Sequence, residues 1–180
     1  MRRHYGSYPS QPSQSPRRQP RGLSGLMPID WLAHHHPLKK SMTPADIVDQ
    51  LNKNRPACLK TLRGEVLEFT PEKSQVVMAF EPGLDCCHSI DVVQGGFVTA
   101  MLDAAMAHAV MAMEALRVTP SSIDINVSFL RPSRAGKFTA VGTIVKLGRT
   151  VGYLRAELFN DKGELTATAT SSVFLTRHPA

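Results

Sequence analysis

The chain has 180 residues, a length suited to one domain with its own core, and a formal net charge of +6. Residues 1–42 hold seven Lys/Arg and one acid, whereas residues 43–180 hold fourteen basic and fourteen acidic residues. Because nucleic-acid binding needs cations clustered on the folded domain, this distribution argues against such a partner. The three cysteines make no disulfide framework and no secretory signal is evident, so a cytoplasmic location is expected.

The first 42 residues form a predicted disordered, basic tail and linker. They are rich in Arg, Ser, Pro and Gln and contain few apolar residues that a core could bury. An Arg-rich, acid-poor segment of this kind is either a plain extension or a targeting sequence, although its prolines disfavour the amphipathic helix of a targeting signal. We expect one folded domain over residues 43–180.

The domain is predicted to open with a short helix and two strands. Thr43 supplies a capping hydroxyl and is followed by Pro44 at the first helical position, so a helix is expected to run to about Asn54. Alternating apolar residues then predict strands over residues 60–69 and 75–81, joined by a turn.

Residues 95–116 form the most apolar segment of the chain. Their length would suit a membrane span, but Asp103 lies near the centre, and His108 and Glu114 follow it. The strands predicted around this segment offer another way to cover a helix that is apolar all round. We therefore predict a buried helix within the domain and no membrane.

Four alternating runs follow the helix. Their predicted inward faces are residues 123, 125, 127 and 129; then 139, 141, 143, 145 and 147; then 154, 156 and 158; and finally the odd-numbered residues from 165 to 175. Short connections rich in Pro, Gly, Asn and Asp predict an antiparallel meander. The expected architecture is α+β, an antiparallel sheet wrapped around one long helix.

Two features at the start of the long helix carry chemistry. Gly95 and Gly96 would present unpaired backbone N–H groups at the positive end of the helix dipole, where they can stabilise an oxyanion. Asp103 is a carboxylate on an otherwise apolar helix and is suited to act as a general base or a nucleophile. The alternatives are close packing for the two glycines and a hydrogen-bonded structural role for Asp103.

The segment Val93–Asp103, with Gly-Gly opening a helix and an acid eight residues after the first Gly, resembles the PaaI-type, phenylacetate-degradation branch of the hotdog-fold thioesterases. Three later segments fit the family's next strands in order: Ser122–Asn126, Phe129–Pro132 and Lys146–Thr150. The resemblance covers about residues 60–175. It departs from the common pattern at Gln94, where His is usual, and at His88, where many relatives have Asn.

The resemblance implies a hotdog fold and hydrolysis of an acyl-CoA or aryl-CoA without a cofactor. It further implies a homodimer whose site is shared between subunits, with assembly to a homotetramer. The catalytic residues it implies are Asp103, Gly95, Ser122, Gln94 and His88. The substrate-binding residues it implies are Gly96, Thr99, Asn126 and Arg149.

Three alternatives remain beside hydrolysis. One is a hotdog module that binds acyl-CoA without turnover, and the second is a hotdog hydratase or dehydratase. The third is a zinc site at Cys86-Cys87-His88, but such a site needs about four ligands and no second Cys/His pair has suitable spacing. No metal is therefore expected.

Overall fold

The computed structural model describes residues 42–178, in which one antiparallel sheet packs against a long helix. The predicted tail, up to residue 41, lies outside the described residues. The helices are α1 (Pro44–Lys53), α2 (Ala57–Thr61) and α3 (Gly95–Met113). The strands are β1 (Glu65–Thr70), β2 (Gln75–Phe80), β3 (Val118–Phe129), β4 (Phe138–Leu147), β5 (Val151–Asn160) and β6 (Leu165–Arg177).

The order of strands in the sheet is β1-β2-β4-β5-β6-β3, with every neighbouring pair antiparallel. The predicted meander is confirmed for β4, β5 and β6 but is wrong for β3, which pairs with β6 at an edge of the sheet. The segment between β3 and β4 makes no hairpin, because its backbone pairs with the segment before α3. The N–H of Val93 donates to the carbonyl of Ser133, and the N–H of Ala135 to that of Asp91.

Helix α3 forms the centre of the core. Its buried residues include Met101, Leu102, Ala105, Met106 and Val110, each at most 1% exposed. Within residues 42–178 it is the one helix long and apolar enough to cross a membrane by length and composition. Half of the tested window is nevertheless buried inside the domain, as expected for a core helix.

The ends of several elements differ from the prediction, for local reasons. Helix α1 begins as predicted, with Thr43 capping the N–H of Asp46. The strand predicted from residue 60 begins at Glu65, because residues 57–61 form α2. Helix α3 ends at Met113 rather than at residue 116, since Ala115 and Leu116 adopt positive φ angles of 47° and 64°.

The predicted inward faces of β5 and β6 are confirmed, but that of β4 is wrong. Phe138, Ala140 and Gly142 are the residues of β4 that are buried towards α3. A Cβ added at Gly142 would lie 2.1 Å from the carbonyl oxygen of Ala105, so the strand touches the helix backbone there. Thr139, Val141 and Thr143, which alternate with these residues, therefore take the other face.

A bulge in β3 changes the face predicted for its first half. The register with β6 shifts between Ser122 and Asp124, so Ile123 is 60% exposed rather than buried. Ser122 pairs with Val173, an inward residue of β6, and thus lies on the face towards α3. Pro120 is tolerated in this strand because β3 has a neighbour on one side only.

The contact at Gly142 generates a prediction for stability. Gly142→Ala should lower the free energy of unfolding by about 3 kcal/mol or more, because the added methyl meets backbone atoms that cannot rotate away. Urea unfolding measures the effect, with Val141→Thr on the other face of β4 as the control. Equal stability of Gly142→Ala and wild type would mean that β4 and α3 are not in this contact.

Candidate active site

The start of α3 leaves one backbone donor free. Gln94 is the N-cap residue, and its side-chain Oε1 accepts from the N–H of Gly96 at 2.7 Å. Its carbonyl accepts from Phe97 and Val98. The N–H of Gly95 has no hydrogen-bond partner within residues 42–178. The prediction that both glycines offer free donors is therefore wrong for Gly96, because Gln94 has taken that donor.

Gly95 lines a mostly apolar cavity of about 400 Å³. The remaining lining residues are His88, Val92, Val93, Val98, Phe129, Leu130, Arg131, Pro132 and Ser133. Most of these residues have no hydrogen-bonding side chain. The free N–H of Gly95 is therefore among the few polar groups that line the cavity. Such a lining, with few but well-placed polar groups, is typical of a small-molecule site.

The loop before α3 holds His88 at this cavity. The backbone N–H of His88 donates to the carbonyl of Val92 at 3.0 Å, and the N–H of Gln94 to that of Cys86 at 2.9 Å. An ion pair between Arg134 and Asp91 ties the same loop to the segment after β3. The exposed imidazole of His88 thus lies on the cavity that contains Gly95, as a residue acting on the same ligand must.

The second part of the candidate site lies further along α3. Asp103 is half-buried, and its Oδ1 accepts from the hydroxyl of Ser122 at 2.8 Å. The β3 bulge makes this contact possible, because it brings Ser122 onto the face of the sheet towards α3. The structure thus brings together two of the residues that the resemblance implies, Asp103 and Ser122, whose catalytic roles stay predictions. The carboxylate keeps its second oxygen for another partner.

The two parts are too far apart in one chain to contact the same reacting carbonyl. Eight residues separate Gly95 from Asp103, which corresponds to about 12 Å along a helix. A catalytic base and an oxyanion donor must both lie within about 3 Å of the reacting atoms. One copy of the chain therefore presents two half-sites rather than one complete site.

Three residues predicted to bind substrate are not brought to the cavity. The Thr99 hydroxyl donates to the carbonyl of Gly95 within the helix. Asn126 pairs with Thr170 on the face of the sheet away from α3, where it borders a separate groove of about 240 Å³. Arg149 is exposed in the turn between β4 and β5. Their roles stay predictions.

His108 and Cys86 are buried titratable groups outside these half-sites. His108 is 5% exposed, and its Nδ1 lies 2.7 Å from the carbonyl oxygen of Ala104. Burial lowers the pKa of His108, which favours a neutral ring, and the contact with Ala104 opposes this only in part. Burial likewise raises the pKa of the Cys86 thiol and disfavours its thiolate. Both side chains are suited to packing rather than to chemistry.

The sequence prediction missed Phe129 as a residue of the site. Its ring borders the cavity, and a Cβ added at Gly95 would lie 3.3 Å from Cζ of that ring. The segment Phe129–Pro132 was recognised only as the end of a strand. The mixture of apolar residues with one Arg in this segment could have indicated a ligand-binding surface. No sequence pattern, however, predicts that the segment lies next to Gly95.

Residues 91–167 match the family described as the Thioesterase superfamily. A curated relative, the medium/long-chain acyl-CoA thioesterase YigI of Escherichia coli K12, is 26% identical over 126 residues. The alignment covers 63% of this chain and 81% of that protein.

Two solved structures are also similar. The phenylacetic acid degradation-related protein of Ralstonia eutropha JMP134 has a TM-score of 0.66 at 29% identity, covering 71% of this chain and 98% of that one. A hypothetical thioesterase of Streptococcus pneumoniae TIGR4, solved with coenzyme A, has a TM-score of 0.60 at 17% identity, covering 68% and 93%. The second likeness supports the fold alone.

The cap at Gln94 generates a prediction for stability. Gln94→Ala should lower the free energy of unfolding by about 1 kcal/mol, because the N–H of Gly96 loses its acceptor. Gln94→Glu should retain stability, since its carboxylate can accept the same bond near the positive end of α3. Urea unfolding of the three proteins tests this. No loss of stability in Gln94→Ala would mean that the cap does not form.

Proposed function

We propose that the chain is a hotdog-fold member of the thioesterase superfamily and that it hydrolyses an acyl-CoA thioester to a free acid and coenzyme A. The observation that carries this proposal is the unpaired N–H of Gly95, a residue that lines a mostly apolar cavity at the start of the helix that also carries Asp103. The name of the curated relative supports the same reaction class.

In the proposed reaction, Gly95 stabilises the charge that develops on the thioester oxygen. The oxygen accepts from its N–H, and the positive end of the α3 dipole lies behind that donor. Removing one such donor typically costs about 3 kcal/mol of transition-state stabilisation. The His88 imidazole is on the same cavity and supplies a second donor to the oxygen.

Asp103 supplies the other half of the reaction. As a general base it takes a proton from water, whose oxygen bonds to the thioester carbon; the carbon–sulfur bond then breaks and the departing sulfur takes the proton that Asp103 holds. As a nucleophile it would bond to that carbon itself as the carbon–sulfur bond breaks and the thiolate of coenzyme A leaves, and water would then cleave the resulting anhydride to the free acid and the Asp103 carboxylate. In both routes the Ser122 hydroxyl fixes Oδ1 and so orients the carboxylate. Gln94 acts on the helix start, where it keeps Gly96 capped.

A complete site is proposed to need two copies of the chain, with Gly95 from one and Asp103 from the other. The separation of about 12 Å within one chain supports this. Strand β3 supports it as well, because it is a long edge strand of 12 residues. The opposite edge strand, β1, is short, has a bulge between Val66 and Glu68, and carries the charged residues Glu65 and Glu68. These features discourage pairing with another chain. A second copy pairing along β3 would form a homodimer.

Further assembly to a homotetramer and a cytoplasmic location are proposals as well. The cysteines of the described residues, Cys58, Cys86 and Cys87, are all free, which fits a reducing compartment.

For the substrate we propose a medium or long acyl chain. The apolar lining of the cavity supports this choice, as does the name of the curated relative.

Release of free thiol from a panel of acyl-CoAs tests the proposed reaction. Asp103→Asn should lower kcat on the best substrate by at least about a hundredfold, because the amide cannot accept a proton from water. Asp124→Asn, on the outward face of β3, is the matched control and should keep its rate.

Two outcomes would overturn the proposal. Saturable binding of acyl-CoA with no thiol release by wild type would make the protein a binding module. A near-normal rate in folded Asp103→Asn would remove Asp103 from the mechanism.

A further inference from the structure

We infer that Phe129 determines how bulky an acyl group the site accepts next to the thioester carbonyl. The inference rests on the proposed function and assigns a specificity-determining role to this side chain. Its ring lies against the residue whose N–H is proposed to bind the carbonyl oxygen.

The position of Phe129 places its ring at the start of α3. It is the last residue of β3, and it pairs with Ala167, a buried residue of β6, so its side chain projects to the face towards the helix. A Cβ added at Gly95 would lie 3.3 Å from Cζ and 3.5 Å from Cε1 of the ring. The ring edge therefore occupies the space directly beside the free donor.

The exposure of this ring is unlike that of the core aromatics. Phe129 is 56% exposed, whereas Phe80 and Phe138 are 1% and 2% exposed. A half-exposed ring contributes less to the hydrophobic core than a buried one. Because the ring borders an apolar cavity, its uncovered side is available to an apolar ligand group.

The chemistry of the cavity identifies which arm of an acyl-CoA would meet Phe129. Besides the ring, the cavity is lined by the apolar side chains of Val92, Val93, Val98, Leu130 and Pro132 and by the polar side chains of His88, Arg131 and Ser133. Against the apolar part of this lining the amides of the pantetheine arm would lose hydrogen bonds to water, whereas an acyl chain loses none. The acyl arm is thus the part of the substrate that lies against the ring. The ring limits how wide the acyl group can be next to the carbonyl.

The test compares substrates that differ in width near the carbonyl. The measured quantity is the ratio of kcat/KM for a branched or aryl acyl-CoA to that for a linear acyl-CoA. Phe129→Ala should raise this ratio by about tenfold or more, because space for even one or two carbon groups is worth about that much discrimination. Phe129→Trp should lower it. Phe129→Leu, a milder truncation, should raise it less and serves if Phe129→Ala does not fold.

The control is Phe174→Ala, since Phe174 is a similarly exposed ring, at 49%, on the outward face of β6. It should leave the ratio unchanged. Sedimentation of each variant checks the oligomer, because Phe129 lies on the edge strand. An equal change in kcat/KM for all substrates, with or without loss of the oligomer, would overturn the inference and assign the ring a structural role.

The failure of the inference is distinguishable from failure of the proposed function. If wild type releases no thiol from any acyl-CoA, the function fails, and calorimetry with non-hydrolysable thioether analogues of the same acyl groups replaces the kinetic ratio. Phe129→Ala should then shift the ratio of dissociation constants in the same direction. An unchanged ratio of affinities would overturn the role of Phe129 independently of catalysis.

Discussion

Helix α3 is apolar over nearly its whole surface, so every side of it must be covered. The sheet covers one side so closely that β4 touches the helix backbone, and the small side chains of Ala140 and Gly142 are what permit this approach. Close packing of a sheet on a helix also leaves little freedom for the polar groups the helix carries. Apart from the buried His108, the polar side chains of the helix, Thr99 and Asp103, lie in its first half.

This placement of polar groups explains the layout of the site. The start of α3 offers a single free donor because the side chain of Gln94 uses the N–H of Gly96. The carboxylate of Asp103 lies about 12 Å away along a rigid helix, so no small local movement can bring the two together. Catalysis in the proposed mechanism therefore depends on how two helices meet, which makes assembly along the open edge of β3 part of the chemistry.

Periodicity and capping signals gave much of the fold. The Thr43-Pro44 start of α1, the apolar run of α3 and the alternation in β5 and β6 each depend on neighbouring residues alone, and each is found as expected. The pairing of β3 with β6 depends instead on where the chain goes after residue 130, and no local pattern encodes that. The face of β4 was misjudged because its tightest contact uses the smallest side chains, which hydrophobicity ranks low.

Site residues were predictable where their residue type costs free energy in the surroundings that the sequence indicates. A carboxylate on an apolar helix and two glycines at its start stand out for physical reasons. A role for Ser122 was implied only by family resemblance, since simple alternation would have placed Ser122 on the outward face, and its contact with Asp103 was not predicted. The cap at Gly96 and the ring of Phe129 beside Gly95 both depend on side-chain positions that only the three-dimensional structure provides.

The central claim is that each complete site takes Gly95 from one copy and Asp103 from another. Gly95→Pro removes the N–H with little backbone strain, because proline suits the first position of a helix and Gln94 already has the φ of −63° and ψ of 137° that a following proline requires. Its Cβ would lie 3.3 Å from Cζ of Phe129, so that ring must shift by a few tenths of an ångström.

Co-expression of Gly95→Pro and Asp103→Asn chains with different tags allows purification of the mixed dimer. The account predicts that each single-variant dimer is nearly inactive, whereas the mixed dimer regains about half of the wild-type rate from one intact site. A mixed dimer no more active than the two variants alone would contradict it.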